Sequence, residues 1–166
     1  MIKGQRQVHL ALGSNLGDRL GNLRAAIAGL EPYIGIAKRS SVYETAPAYV
    51  TDQPKFLNAA ISGFTDLEPM MLLHTVKEIE RRVGRMPTYR YGPRVVDIDI
   101  IFYDDEKISH PELTVPHPRM HERSFVLCPL KDIAADYRNP ITGKTVGEML
   151  ANVNDAGECV LTGEKL

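Results

Sequence analysis

Two stretches of helical periodicity, each flanked on both sides by stretches of strand periodicity, constrain the fold of this chain more than any other feature. Val8, Leu10 and Leu12 alternate with His9 and Ala11, which suits a first strand. Leu20, Leu23, Ile27 and Leu30 recur at spacings of three and four and predict a helix, which Pro32 and Gly35 close. Ile36 to Tyr43 and Phe56 to Phe64 read as a second and a third strand, separated by a loop from Ala46 to Pro54. Leu72, Val76, Ile79 and Val83 define a second helix, expected over 67–83 and ended by Gly84. Val95 to Phe102 is the next strand, with Ile98, Ile100 and Phe102 on one face and Asp97, Asp99 and Ile101 on the other. A proline-rich loop is expected over 104–118, a helix over 119–127 and a short helix over 146–150. The order β-α-β, then β-α-β, is the split βαβ pattern, so the expected class is α+β: a ferredoxin-like sandwich with extra C-terminal elements. Its antiparallel sheet carries two helices on one face and leaves the other free to host a site.

The 166 residues suit a single domain over 1–166, and no repeat or linker interrupts them. Lys plus Arg number 20 against 21 Asp plus Glu, a net charge of −1, which argues against a globally basic nucleic-acid or membrane binder. No apolar run approaches the roughly 20 residues that span a bilayer. The apolar stretch before Gly13 is only about five residues, too short for a signal-peptide core. Cys128 and Cys159 show neither CxxC spacing nor a Cys/His cluster. They are expected to be reduced thiols in a reducing compartment. A soluble, cytoplasmic protein is the expectation.

The chemistry concentrates in residues 81–99, RRVGRMPTYRYGPRVVDID. Between Arg81 and Arg94 there are five arginines (81, 82, 85, 90 and 94) and no acid. A run of arginines is ordinarily a solvated face. These lie in a loop with Gly84, Pro87, Gly92 and Pro93, where backbone can be shaped around a ligand. Asp97 and Asp99 follow on one strand face, about 6.5–7 Å apart at Cα. Two carboxylates that converge in this way suit a divalent cation, with water and phosphate oxygens completing the Mg²⁺ sphere. Arginines hold phosphate oxygens by bidentate hydrogen bonds. The turn at 13–18, GSNLGD, lacks both GxxxxGK[ST] and GxGxxG, so Asp18 or Ser14 reads as a helix cap and any ATP site must be built differently. His117, between Pro116 and Pro118 and six residues before Arg123, reads as a positioned polar contact.

Gly92 to Asp99, GPRVVDID, resembles the GPRxxDxD signature of the 6-hydroxymethyl-7,8-dihydropterin pyrophosphokinase family. Further blocks are similar in order: Leu10 to Leu16, Tyr43 to Thr45, Asp52 to Ala60, Glu80 with Gly84 and Arg85, Leu113 to His117, and Arg123 to Phe125. The resemblance implies transfer of the β,γ-pyrophosphoryl group of ATP to the hydroxymethyl group of a reduced pterin, with AMP as the second product. It implies two Mg²⁺ ions held by Asp97 and Asp99, and catalytic arginines at Arg85 and Arg94. It places Glu80, Arg85, Arg94, Ile100, Thr114, His117 and Arg123 at the ATP site. Thr45, Ala46, Ala48, Phe56, Asn58 and Phe125 fall at the pterin site, where aromatic faces suit a flat ring and Asn58 offers a donor and an acceptor to its edge. ATP and the pterin are the expected partners; no nucleic acid, membrane or obligate protein partner is indicated. The chain departs from the family's common pattern at Pro87, where many members carry a second loop arginine, and at Tyr91, Pro118 and Glu112.

Overall fold

The computed structural model describes residues 4–84, 89–154 and 157–166. The periodicities become β1 (Arg6–Ser14), α1 (Arg19–Leu30), β4 (Phe56–Thr65), α2 (Pro69–Val83) and β5 (Asp97–Tyr103). Asp18 caps α1, its carboxylate accepting the Gly21 N–H at 3.0 Å. Pro69 starts α2 two residues later than expected, because a proline suits the first helical position. Gly84, at φ +117°, ends α2 in a left-handed conformation that its missing Cβ permits.

The main sheet is antiparallel with the order β5-β1-β4-β3-β8, where β8 is Val160–Leu161, and β2 (Gly35–Arg39) shares an edge of β4 with β3 (Tyr43–Thr45). This is the split βαβ arrangement. Leu10, Leu12, Ile98 and Ile100 bury against Leu23 and Leu30 of α1 and Leu72 and Val76 of α2. The opposite face is covered along most of its length by α3 (Ser124–Ala134) and α4 (Val146–Ala151), through Ala11, Ala60, Ile101, Phe102, Leu127 and Leu130. That face is therefore open only at one end.

Several expectations are corrected. The strand expected over 36–43 is two strands, because beyond Arg39 the Ser40 Oγ, not a carbonyl, accepts the Ala60 N–H. Phe102 lies on the α3 side rather than with Ile98 and Ile100: an irregularity pairs His9 with Phe102 and Leu10 with Ile100, which changes the alternation. The proline-rich loop contains a hairpin of β6 (Ile108–His110) and β7 (Leu113–Val115). The helix expected over 119–127 is a 3₁₀ turn, Met120–Glu122, followed by α3. The tail adds β8 (Val160–Leu161) to the edge of β3.

The cysteines, expected as free thiols, form a disulfide between Cys128 on α3 and Cys159 in the tail. The two positions are 31 residues apart, a distance that carries no spacing signal; pairing of β8 with β3 brings them together. Closing a loop of that length restricts the unfolded chain by about 3–4 kcal/mol in the chain-entropy treatment. Adding a reducing dithiol, or Cys128→Ser, is expected to lower the denaturation midpoint accordingly. Urea titrations of oxidised and reduced protein measure the difference. Among the described residues no helix is long and apolar enough to cross a membrane.

Candidate active site

The open end of the sheet places small residues between polar ones. Gly13 on β1 lies opposite Asn58 of β4 on one side and Asp97 of β5 on the other. In the next row Ala11 lies between Ala60 and Asp99. Directly paired residues of an antiparallel sheet share a face, so both aspartates and Asn58 point toward the α3 side. A Cβ on Gly13 would stand 2.9 Å from Asn58 Oδ1 and 3.6 Å from Phe56 Cδ1, so the glycine keeps the floor of the site clear. Above this floor lies a cleft.

Ten of the residues singled out by sequence line it: Thr45, Ala46, Ala48, Phe56, Asn58, Arg94, Asp97, Asp99, Arg123 and Phe125. Asn58 Nδ2 donates to Thr45 Oγ1, which fixes the amide at the cleft wall. Glu80, Ile100, Thr114 and His117 lie outside the lining. Glu80 is buried, and its carboxylate accepts the Ile98 N–H at 2.7 Å, which ties α2 to the strand that carries both aspartates. Ile100 belongs to the α1–α2 core, and Thr114 is exposed on β7. Arg85 lies outside the described residues.

Sequence reading missed Gly13, Asn15, Tyr49, Gln53 and Tyr91 as parts of the site. Asn15 is buried; its Nδ2 donates to Gln53 Oε1 (2.8 Å) and the Pro54 carbonyl (3.0 Å), and its Oδ1 accepts the Arg94 N–H (2.7 Å). Gln53 Nε2 in turn donates to the Tyr91 carbonyl at 2.7 Å. The residue that follows β1 thereby sets the relation between the loop at 46–54 and the segment carrying Arg94. The available signals were that Gly13, Asn15 and Gln53 fall within blocks of the family resemblance and that Tyr91 departs from the family's pattern just before Gly92; Tyr49 gave none.

The charges are arranged to receive cations and anions together. Withdrawal from water at the foot of the cleft pushes the Asp99 carboxyl up to about 7, and the Asp97 charge beside it adds to the rise. Arg94 Nη1 donates to Asp97 Oδ2 at 2.7 Å, and its guanidinium lies 5.5 Å from the Phe56 ring centroid. A carboxylate pair that is costly as two bare charges, with a guanidinium already drawn to it, is a donor set that fits a hard divalent cation. Among the described residues no group of three or more His, Cys, Asp or Glu side chains is gathered to hold a metal. Asp97 and Asp99 would hold Mg²⁺ with water and phosphate oxygens supplying the remaining positions, as this ion prefers.

Burial, then the charges of Arg123 and Arg119, holds His117 down to about 4, so its ring is neutral. Its Nδ1 accepts the Arg119 N–H at 3.2 Å, which leaves the proton on Nε2. His9 is also held down to about 4, by burial and then by Lys38; it packs against Tyr137 and edge-on to Phe102. Both imidazoles take up protons more readily in the unfolded chain, whose histidines titrate near 6.5. Their contribution to stability is therefore complete above pH 6.5 and lost as pH falls toward 4, while protonation of Asp99 acts in the opposite direction over the same range. For His9 the loss approaches about 3 kcal/mol. Denaturation midpoints measured from pH 7 to pH 4 are expected to shift in favour of His9→Leu relative to the wild type, because the variant lacks the imidazole that must charge.

The chain matches the family model of 7,8-dihydro-6-hydroxymethylpterin-pyrophosphokinase (HPPK) over residues 9–135. The chain belongs to this family. It is 44% identical over 136 residues to a 2-amino-4-hydroxy-6-hydroxymethyldihydropteridine pyrophosphokinase of Bacillus subtilis, covering 81% of each chain. It is 42% identical over 153 residues to the protein of the same name from Methylorubrum extorquens, covering 91% of this chain and 96% of that one. It is also 50% identical over 130 residues to a mitochondrial folate synthesis bifunctional protein of Arabidopsis thaliana, covering 78% of this chain and 24% of that protein. The chain spans about a quarter of the length of the bifunctional proteins it matches. The solved structure of wild-type Plasmodium falciparum HPPK-DHPS superposes with a TM-score of 0.70 at 16% identity, over 89% of this chain and 44% of that one, a likeness of fold alone. The HPPK match ends at 135, so α4, Cys159 and β8 lie beyond it.

Proposed function

We propose that this HPPK-family chain transfers the β,γ-pyrophosphoryl group of ATP to 6-hydroxymethyl-7,8-dihydropterin, giving AMP and the pterin pyrophosphate. The observation that carries the proposal is the single row Asn58–Gly13–Asp97 across β4, β1 and β5. It sets a hydrogen-bonding amide for a heterocycle edge and a carboxylate for a metal–phosphate group on either side of an open floor.

The pterin ring lies over Gly13, with its faces toward Phe56 and Phe125 and its polar edge on Asn58 and Thr45; Ala46 and Ala48 leave room for it. Arg94 and Arg123, which line the cleft, face the phosphates, and the family pattern gives Arg85 the same role. Glu80 holds β5 in place beneath the nucleotide, while Ile100, Thr114 and His117 border the adenosine portion; neutral His117 offers its Nε2–H as a donor. Asp97 and Asp99 would hold two Mg²⁺ ions, whose charge would offset that of the transferred group. The hydroxymethyl oxygen attacks the β-phosphorus, the bond from that phosphorus to the α,β-bridging oxygen breaks, and AMP leaves. The hydroxyl proton passes to solvent. Such transfers depend on positioning and charge compensation more than on a strong base.

We place the reaction in the cytoplasm, where MgATP is at hand. There the Cys128–Cys159 bond meets a reducing medium, so the activity is expected of the reduced chain as well. The test is incubation with MgATP and the pterin, with nucleotide products separated by chromatography. AMP in step with pterin consumption supports the proposal; ADP as the product, or AMP without pterin, refutes it.

A further inference from the structure

We infer that Tyr49 is the positioning residue for Arg123. The inference rests on Arg123 facing the phosphates of ATP. Arg123 immediately precedes α3, so its backbone is fixed by the start of that helix, but its side chain must be aimed by its neighbours. Its Nε donates to Tyr49 Oη at 2.9 Å, and its guanidinium carbon lies 5.3 Å from the Tyr49 ring centroid and 5.6 Å from that of Phe125.

The neighbouring Arg119 provides a contrast. It also lies over Tyr49, at 4.7 Å, but Glu122 takes its Nε and Tyr91 Oη takes its Nη1 at 2.8 Å. Among the described residues no carboxylate pairs with Arg123. Two π faces and one phenol oxygen hold it instead. These contacts orient a guanidinium without neutralising it. With Nε engaged, the two η nitrogens remain as a fork, the geometry in which a guanidinium takes two oxygens of one phosphate.

Tyr49 itself is held by its stack on Tyr91, with centroids 4.3 Å apart and planes 28° apart. Gln53 bonds the Tyr91 carbonyl from the same loop that carries Tyr49. The ring is thus fixed from two sides, and its hydroxyl can define where Arg123 points. The resulting role is specific: the ring contributes to the cleft wall, whereas the hydroxyl serves the arginine.

The experiment is a double-mutant cycle of Tyr49→Phe and Arg123→Ala, read by steady-state kinetics in both substrates. Loss of one hydrogen bond to a cation at a half-open site is expected to raise the KM for MgATP about fivefold. The KM for the pterin should stay within about twofold, because the ring is retained. In the Arg123→Ala background Tyr49→Phe should have no further effect. Equal effects of Tyr49→Phe with and without Arg123, or wild-type kinetics in Tyr49→Phe while Arg123→Ala is impaired, would overturn the positioning role. Wild-type kinetics in Arg123→Ala would overturn the phosphate-facing reading of Arg123, and this inference with it.

Discussion

Asp97→Asn and Asp99→Asn are expected to remain folded and to lose turnover by about a hundred- to a thousandfold, the scale on which removal of one charge-stabilising group slows an enzyme. Asn is nearly isosteric with Asp, and the strand pairings of β5 with β1 use only backbone atoms. The lost charge matters because the row from Gly13 to Asp97 is where a cation and the transferred phosphates would meet. For Asp99→Asn stability should move in the opposite direction. The raised Asp99 carboxyl means that its ionised form is disfavoured in the fold, by withdrawal from water and by Asp97. That penalty is present above the raised value near 7 and disappears as pH falls toward the ordinary carboxylate range. Asp99→Asn should therefore melt above the wild type at pH 8 and no higher than it at pH 4, in metal-free buffer. Melting curves alongside AMP release across a Mg²⁺ titration measure both. A folded Asp97→Asn with full activity would remove the aspartates from the mechanism.

Phe56→Ala and Phe125→Ala should each weaken pterin binding by about 2 kcal/mol, near thirtyfold, since each removes most of one buried aromatic contact. Binding of a non-hydrolysable ATP analogue should change far less. Phe56 carries a smaller secondary effect there, because Arg94 rests over its ring. Both rings are half-buried and line the cleft, and Phe125 also packs against the α3–α4 core, so its variant is the more destabilised of the two. Calorimetric titration with each ligand separates the roles. Equal losses for both ligands, or a collapse of the fold, would make these phenylalanines packing residues.

The elements that the sequence made legible are those whose periodicity is undisturbed. Leu20, Leu23, Ile27 and Leu30 repeat on one stripe of α1, and Asp97 and Asp99 sit two apart on a strand, so helix face and strand face follow from spacing alone. Where a local irregularity intervenes, spacing misleads. Phe102 changes face because the ladder between β1 and β5 slips beside it, and Ser40 divides one apparent strand into two. The tail strand and the Cys128–Cys159 bond depend on contacts between distant segments, and neither β8 nor the cysteine spacing carries a local pattern. The same division holds at the site. Its carboxylates, its phenylalanines and Asn58 were marked by residue type within recognisable blocks. Gly13, Asn15, Tyr49 and Gln53 act through what they leave open or what they hold, which becomes visible only when three segments converge.

A two-phosphate group, and not one phosphate, is expected to pass from ATP to the pterin. The most direct measurement uses ATP labelled at its β-phosphorus, incubated with the oxidised and with the reduced protein and with 6-hydroxymethyl-7,8-dihydropterin. The label is expected to move entirely to the pterin product while unlabelled AMP accumulates. Label retained on a nucleotide as ADP would contradict it.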